Sequence, residues 1–151
     1  MAEAFLLTEE LKQAILSRKG QPSTHVVEQG AIRRFAEAIE DANPLWIDEM
    51  GARQSRYGGI VAPPTFLRSC SAAIPTVPEL DDLSRVLDGG SEWEYFQSVR
   101  PGDRITTISQ FTNLSQRTLS VGVAVFAVME TTYTNQLDQI VAKQRSTLIK
   151  Y

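Results

Sequence analysis

Tyr57-Gly58-Gly59-Ile60-Val61-Ala62-Pro63-Pro64 decides how this chain folds. Two glycines make a flexible turn, three apolar residues follow, and two prolines then preset the backbone for a helix, because proline suits the first helical position. Thr65-Phe66-Leu67 and Ala72-Ala73-Ile74 keep the next stretch almost continuously apolar. The pattern predicts a helix over residues 64–74, buried on most sides, with Phe66, Leu67 and Cys70 turned toward whatever wraps it. Pro75 and Pro78 close it, and residues 78–88 read as a loop with a short helical turn.

Before this stretch the chain reads as helical, after it as extended. Thr8 is placed to cap a helix over 8–18 with Leu11 and Ile15 on one side. Residues 24–27 are a short strand candidate. Ile32, Phe35, Ala36 and Ile39 share one face of a helix over 31–41, while Arg33, Glu37 and Glu40 point away. Pro44 biases Asn43 out of the helical region, so this helix is expected to stop near Asp41, with a short helix following over Asp48–Gln54. Ser91–Val99 and Arg104–Leu114 read as strands flanking the turn Arg100-Pro101-Gly102-Asp103. Thr118–Tyr133 is expected to hold the longest strand, with Val121, Val123 and Val125 on one side, and Leu137–Tyr151 supplies the last. Consecutive long strands after a helical half predict an α+β fold in which a curved antiparallel sheet wraps a central helix. Such a sheet exposes an edge, and unpaired edges are liabilities that proteins cover. The chain is therefore expected to be at least a dimer, with the Tyr57–Pro64 loop near the junction.

The 151 residues suit a single domain, 1–151, with a sizeable core. Apolar residues at 42% and charged residues at 22% exclude a disordered chain. A net charge of -3 argues against a global attraction to nucleic acid, although Arg33, Arg34, Arg53 and Arg56 lie close in sequence. Cys70 is the only cysteine and His25 the only histidine, which excludes an internal disulfide and a Cys-rich metal site and fits a reducing cytoplasm. Met1–Leu7 has neither a basic start nor a sustained apolar run, so no signal peptide is expected, and no stretch approaches a membrane span.

The second dense signal is Asp41-Ala42-Asn43-Pro44-Leu45-Trp46, which sets an acid, an amide, a proline and an aromatic together at the end of a helix. Phe35-Ala36 precedes it, and the Tyr57–Pro63 stretch and Arg100-Pro101-Gly102-Asp103 follow. In this order and spacing the motifs resemble those of the MaoC-like hydratases and dehydratases over nearly the whole chain. The likeness is strongest to their N-terminal domains and to the non-catalytic subunits of heterodimeric dehydratases. The resemblance implies a hot-dog fold, a long central helix wrapped by a curved antiparallel sheet. It also implies a lyase chemistry in lipid metabolism: water adds to a trans-2-enoyl thioester to give an (R)-3-hydroxyacyl product, or the reverse. The substrate would be a thioester of coenzyme A or of an acyl carrier, and no cofactor or metal is implied.

In that family an aspartate and a histidine activate the water. Asp41 matches the aspartate and Asn43 the residue that shapes the turn, but Trp46 stands at the histidine position. Indole has no basic nitrogen and only donates, so it cannot serve as the general base. Where active members carry His-Gly, with the glycine N–H polarising the thioester carbonyl, this chain has Ala62-Pro63-Pro64, and proline has no N–H. The resemblance makes Trp46, Tyr57, Gly59, Ile60, Val61, Ala62, Pro63 and Phe66 candidates for substrate contact. Core packing is the competing role for Phe66, Trp46 and Ile60, and a local turn-capping role for Asp41. Trp93, Tyr95 and Phe96 suit either the sheet or an interface, and Arg100 and Arg104 either coenzyme A phosphates or solvent. His25 lies outside the motif and reads as a satisfied or surface histidine. Three functions stay open: a subunit whose hot-dog partner supplies the Asp/His pair, a self-sufficient homodimeric hydratase using Asp41, and a non-enzymatic acyl-thioester binding or assembly module.

Overall fold

The computed structural model describes residues 5–151, so the first four residues of the Met1–Leu7 expectation lie outside the described ones. Its helices are α1 (Glu9–Leu16), α2 (Gln29–Ala38), α3 (Pro44–Ile47) and α4 (Glu49–Gln54). Its strands are β1 (Ser23–Val26), β2 (Val86–Tyr95), β3 (Arg104–Leu119), β4 (Gly122–Thr134) and β5 (Ile140–Lys150). All pair antiparallel in one sheet of order β1-β3-β4-β5-β2. The α+β hot-dog architecture is thus present, with helices in the concavity of a curved sheet. No helix among the described residues is long and apolar enough to cross a membrane.

Local chemistry sets the element ends. Thr8 accepts the Leu11 N–H at 3.2 Å and caps α1, which buries Ile15. Helix α2 ends at Ala38, short of Asp41, because Glu40 adopts φ 55°. The Glu40 N–H then reaches Glu37 O at 3.1 Å and the Asp41 N–H reaches Ala36 O at 2.9 Å, the two bonds of a left-handed C-terminal cap. Pro44 therefore does not stop α2; it opens α3, where Asn43 Oδ1 accepts the Leu45 N–H at 3.0 Å. The longest strand is β3, at 16 residues against 13 for β4. Gly122 takes φ 116° and closes the hairpin at Ser120-Val121, so Thr118 and Leu119 belong to β3 and Val121 is 63% exposed at the tip. Val125, Ala127, Met129 and Tyr133 line the inner face as expected for alternation.

The largest departure from expectation is the central helix. Phe66, Leu67 and Cys70 are buried as anticipated, but the helix is a 3-10 turn over Pro64–Ser69, and Ile74 is 53% exposed. Lateral bonds draw the chain off the helical path. The Ser71 carbonyl accepts from His25 Nε2 at 2.7 Å and from Thr107 Oγ1 at 3.1 Å. Ala73 O lies so close to Gly20 that a Cβ there would sit 1.9 Å away. Arg18 then donates to Thr76 O at 3.1 Å and to the Glu79 carboxylate at 2.8 Å. The connection crosses the sheet toward β1 and α1 instead of running along it.

The core accordingly forms two clusters. Ile32, Ala52, Phe66, Leu67, Ile105 and Val141 pack around the 3-10 turn, and Ile15, Leu80, Leu83, Phe111, Leu114 and Val125 pack under α1.

Two outcomes follow from the tethers. Gly20→Ala forces the Ala73 carbonyl away and is expected to cost about 3 kcal/mol, the upper end for overpacking, in urea unfolding at neutral pH. The Arg18 guanidinium holds the Glu79 carboxyl down at about 2 from an ordinary 4.5. A depressed carboxyl stabilises the fold above its unfolded value, and that contribution fades as the pH drops from 4.5 through 2. The stability gap between the native chain and Glu79→Gln should therefore shrink on acidification over that window.

Candidate functional site

Two backbone hydrogen bonds assemble the site. The Val61 N–H donates to Leu45 O at 3.1 Å and the Ala62 N–H donates to Val99 O at 2.8 Å. They stitch the 60–63 segment between α3 and the chain leaving β2. The Arg100–Asp103 turn anchors the far side: Gly102, at φ 90°, donates to Val27 O at 2.8 Å, and the Val27 N–H donates to Asp103 O at 2.8 Å. Gly58, at φ 67°, bends the Tyr57 loop over the cleft, and its N–H reaches Ser55 O at 3.1 Å.

The result is a cleft of about 320 Å³, walled by Trp46, Tyr57, Val61, Ala62 and Pro63 from one side and by Tyr95, Phe96, Gln97 and Ser98 from the other. Arg56 is the cation at its rim; it lies 4.8 Å over the Tyr57 ring and donates to Tyr57 Oη at 2.7 Å. Among the described residues no carboxylate lines the cleft. Burial pushes the Tyr95 phenol upward, with Arg68 pulling the other way.

Five of the sequence candidates thus come together and five do not. Ile60 and Phe66 are core residues, and Phe66 meets the Phe35 ring edge-on at 5.6 Å. Gly59 sits in the turn without facing the cleft. Asp41 and Asn43 are also outside it. Asp41 Oδ1 accepts the Asn43 N–H at 3.1 Å, and the carboxylate borders a separate depression with Arg33, Glu37 and Ile47. Sequence reasoning passed over Gln97 and Ser98; the run of exposed aromatics at Tyr95 and Phe96, just before the Arg100 turn, was the signal for that wall. His25 is satisfied by Ser71 and lies in β1.

Two features bear on chemistry. Trp46 Nε1 is the one buried side-chain polar atom without a partner among the described residues. From Val61 to Pro64 there is no free backbone N–H: two are bonded within the chain, and the prolines have none. An oxyanion hole needs unengaged donors aimed at the developing charge, and this segment offers none. Among the described residues no three His, Cys, Asp or Glu side chains converge as metal ligands.

Comparison with known proteins agrees with this architecture. The profile of the FAS1-like dehydratase domain region matches residues 14–144. The chain belongs to this family. A UPF0336 protein of Streptomyces coelicolor is 36% identical over 105 residues, covering 66% of this chain and 70% of that protein. A probable enoyl-CoA hydratase alpha subunit of Thermomonospora curvata is 30% identical over 152 residues, covering 89% of this chain and 47% of its own length. Among solved structures, the ChsH1-ChsH2 complex from Mycobacterium tuberculosis superposes with a TM-score of 0.83 at 22% identity, covering 95% of this chain and 90% of the matched one. The dehydratase reading of the motifs agrees with this family, and the hot-dog fold is shared with that structure.

The placement of Asp41 is directly testable. Its observed work is to accept the Asn43 N–H, which an amide oxygen also does. Asp41→Asn should leave the melting temperature nearly unchanged, and Asp41→Ala should cost about 1 kcal/mol, as for loss of a side-chain cap.

Proposed function

We propose that this chain is the non-catalytic half of a heteromeric (R)-specific 2-enoyl-CoA hydratase or 3-hydroxyacyl thioester dehydratase. A hot-dog partner supplies the Asp/His pair, and the Trp46–Pro63 cleft walls part of the tunnel for the acyl thioester. The observation that carries the reading is the unbroken lack of free backbone donors from Val61 to Pro64, next to an indole where the family resemblance calls for histidine. Asp41, turned to its own backbone and away from the cleft, gives the self-sufficient reading no support. The alpha-subunit relative and the two-component complex favour a subunit over a free-standing enzyme. The whole of residues 1–151 would act as one hot-dog unit, with coenzyme A carrying the acyl group and no cofactor involved.

Roles divide along the cleft. Trp46, Tyr57 and Phe96 present apolar faces to an acyl group, Arg56 sits at the mouth where an anionic carrier enters, and Ala62 and Pro63 form a wall without polar reach. The expected location is the cytoplasm, where acyl thioesters are handled.

Crotonyl-CoA hydration tests this. The isolated chain should show no turnover, and a co-encoded hot-dog protein bearing Asp-x-Asn-Pro-x-His should restore it. Trp46→His alone should stay inactive, because a missing oxyanion donor costs roughly 3–4 kcal/mol in the transition state. Turnover by the native chain alone at rates typical of complete enzymes overturns the reading.

A further inference from the structure

Strand β2 is the outermost strand on one side of the sheet; it pairs with β5, and no described strand pairs with its other edge. Its ends are apolar and exposed, with Val86 at 58%, Leu87 at 51% and Tyr95 at 41%, and Phe96 just beyond it is 50% exposed. Trp93 packs onto the core, stacks on Tyr95 at 5.7 Å and meets Tyr133 at a 35° tilt, 5.3 Å away. Trp93 and Tyr95 therefore face the concavity, and by alternation Glu92 and Glu94 face the convex side.

The convex side carries a charge pattern ordered by strand. Glu92 stands opposite Arg145 and Glu94 opposite Lys143 on β5. Arg145 in turn stands opposite Glu130 on β4, whose carboxylate lies 3.6 Å from Lys143 Nζ. The sequence across the sheet is acid on β4, base on β5, acid on β2. A further strand laid along β2 continues this alternation only if it is basic there.

We propose that Glu92 and Glu94 make this edge select a different subunit over a second copy of the chain. The chosen partner is a hot-dog protein whose edge strand runs antiparallel to β2 and carries Lys or Arg on the convex face opposite the two glutamates. The proposal rests on the subunit reading above and names the chemistry of the partner's edge. Self-pairing about a two-fold axis that passes through residues 92–94 and keeps both concave faces on one side brings like charges together. Centred on Trp93, it sets Glu92 of each copy against Glu94 of the other; centred on Glu92 or Glu94, it sets that carboxylate against itself. Like charges directly opposite destabilise a strand pair and opposite charges stabilise it. The apolar inner face of the edge attracts any similar edge, so the carboxylates supply the discrimination.

The test is a charge swap within this chain. Sedimentation is measured for the native chain, for Glu92→Lys/Glu94→Lys, and for an equimolar mixture. The mixture should associate roughly tenfold more tightly than either alone, and the advantage should fall at high salt. Hydrogen exchange should show the β2 amides protected in the mixture. Glu92→Gln/Glu94→Gln adds no repulsion toward Arg145 and Lys143, so it tests the same point if the lysine variant unfolds. It should self-associate more tightly than the native chain. Equal association in every arm overturns the charge rule, and the subunit reading stands if the co-encoded partner still restores hydration. A tighter mixture with no hydration from any partner leaves the charge rule standing and overturns the subunit reading.

Discussion

The pair of backbone bonds from Val61 to Leu45 and from Ala62 to Val99 is the constraint on which the site depends. These bonds pin an apolar segment between a short helix and the end of an edge strand, and so create the cleft. Buried amides must be paired, at a cost of about 1–3 kcal/mol each if they are not. The geometry that makes the cleft thereby spends its backbone donors on structure. Pro63 and Pro64 extend that condition over the next two positions at no such cost, because they have no N–H to satisfy.

Trp46 belongs to the same economy. Its ring packs against the core cluster around the 3-10 turn while its edge meets the cleft. The buried, unpartnered Nε1–H is a penalty, and burial of a large aromatic surface, worth about 1.5–3 kcal/mol for a side chain of this kind, offsets it. A histidine at this position would bury less apolar area and would bring a second polar nitrogen. The position has been settled in favour of packing, at the expense of acid–base chemistry.

Much of this was legible in the sequence because it is written in local chemistry. Thr8, Asn43 and the Arg100–Asp103 turn act where their residue types act in peptides, and period-two alternation located the inner face of β4. The burial of Phe66, Leu67 and Cys70 followed from apolar density alone. What escaped was set by distant partners. No local pattern reveals that the Ser71 carbonyl will be taken by His25 and Thr107, or that Ala73 will press against Gly20, yet those contacts cut the helix at Ser69. Glu40 in the left-handed region was equally hidden, since glycine is the usual residue for that cap. Gln97 and Ser98 reach the cleft beside Val99, the distant partner of the Ala62 N–H.

The cleft and the open edge share one element. Tyr95 ends β2, Phe96 follows it, and both wall the cleft, so a strand laid along β2 would approach the cleft. Shape alone would admit another copy of this chain, which brings the same lack of donors from Val61 to Pro64. An assembly of two such copies would enclose a tunnel with no chemistry in it. Under the proposed pairing, carboxylates on the convex face of β2 would refuse that unproductive assembly from outside the cleft, whose lining carries no carboxylate among the described residues.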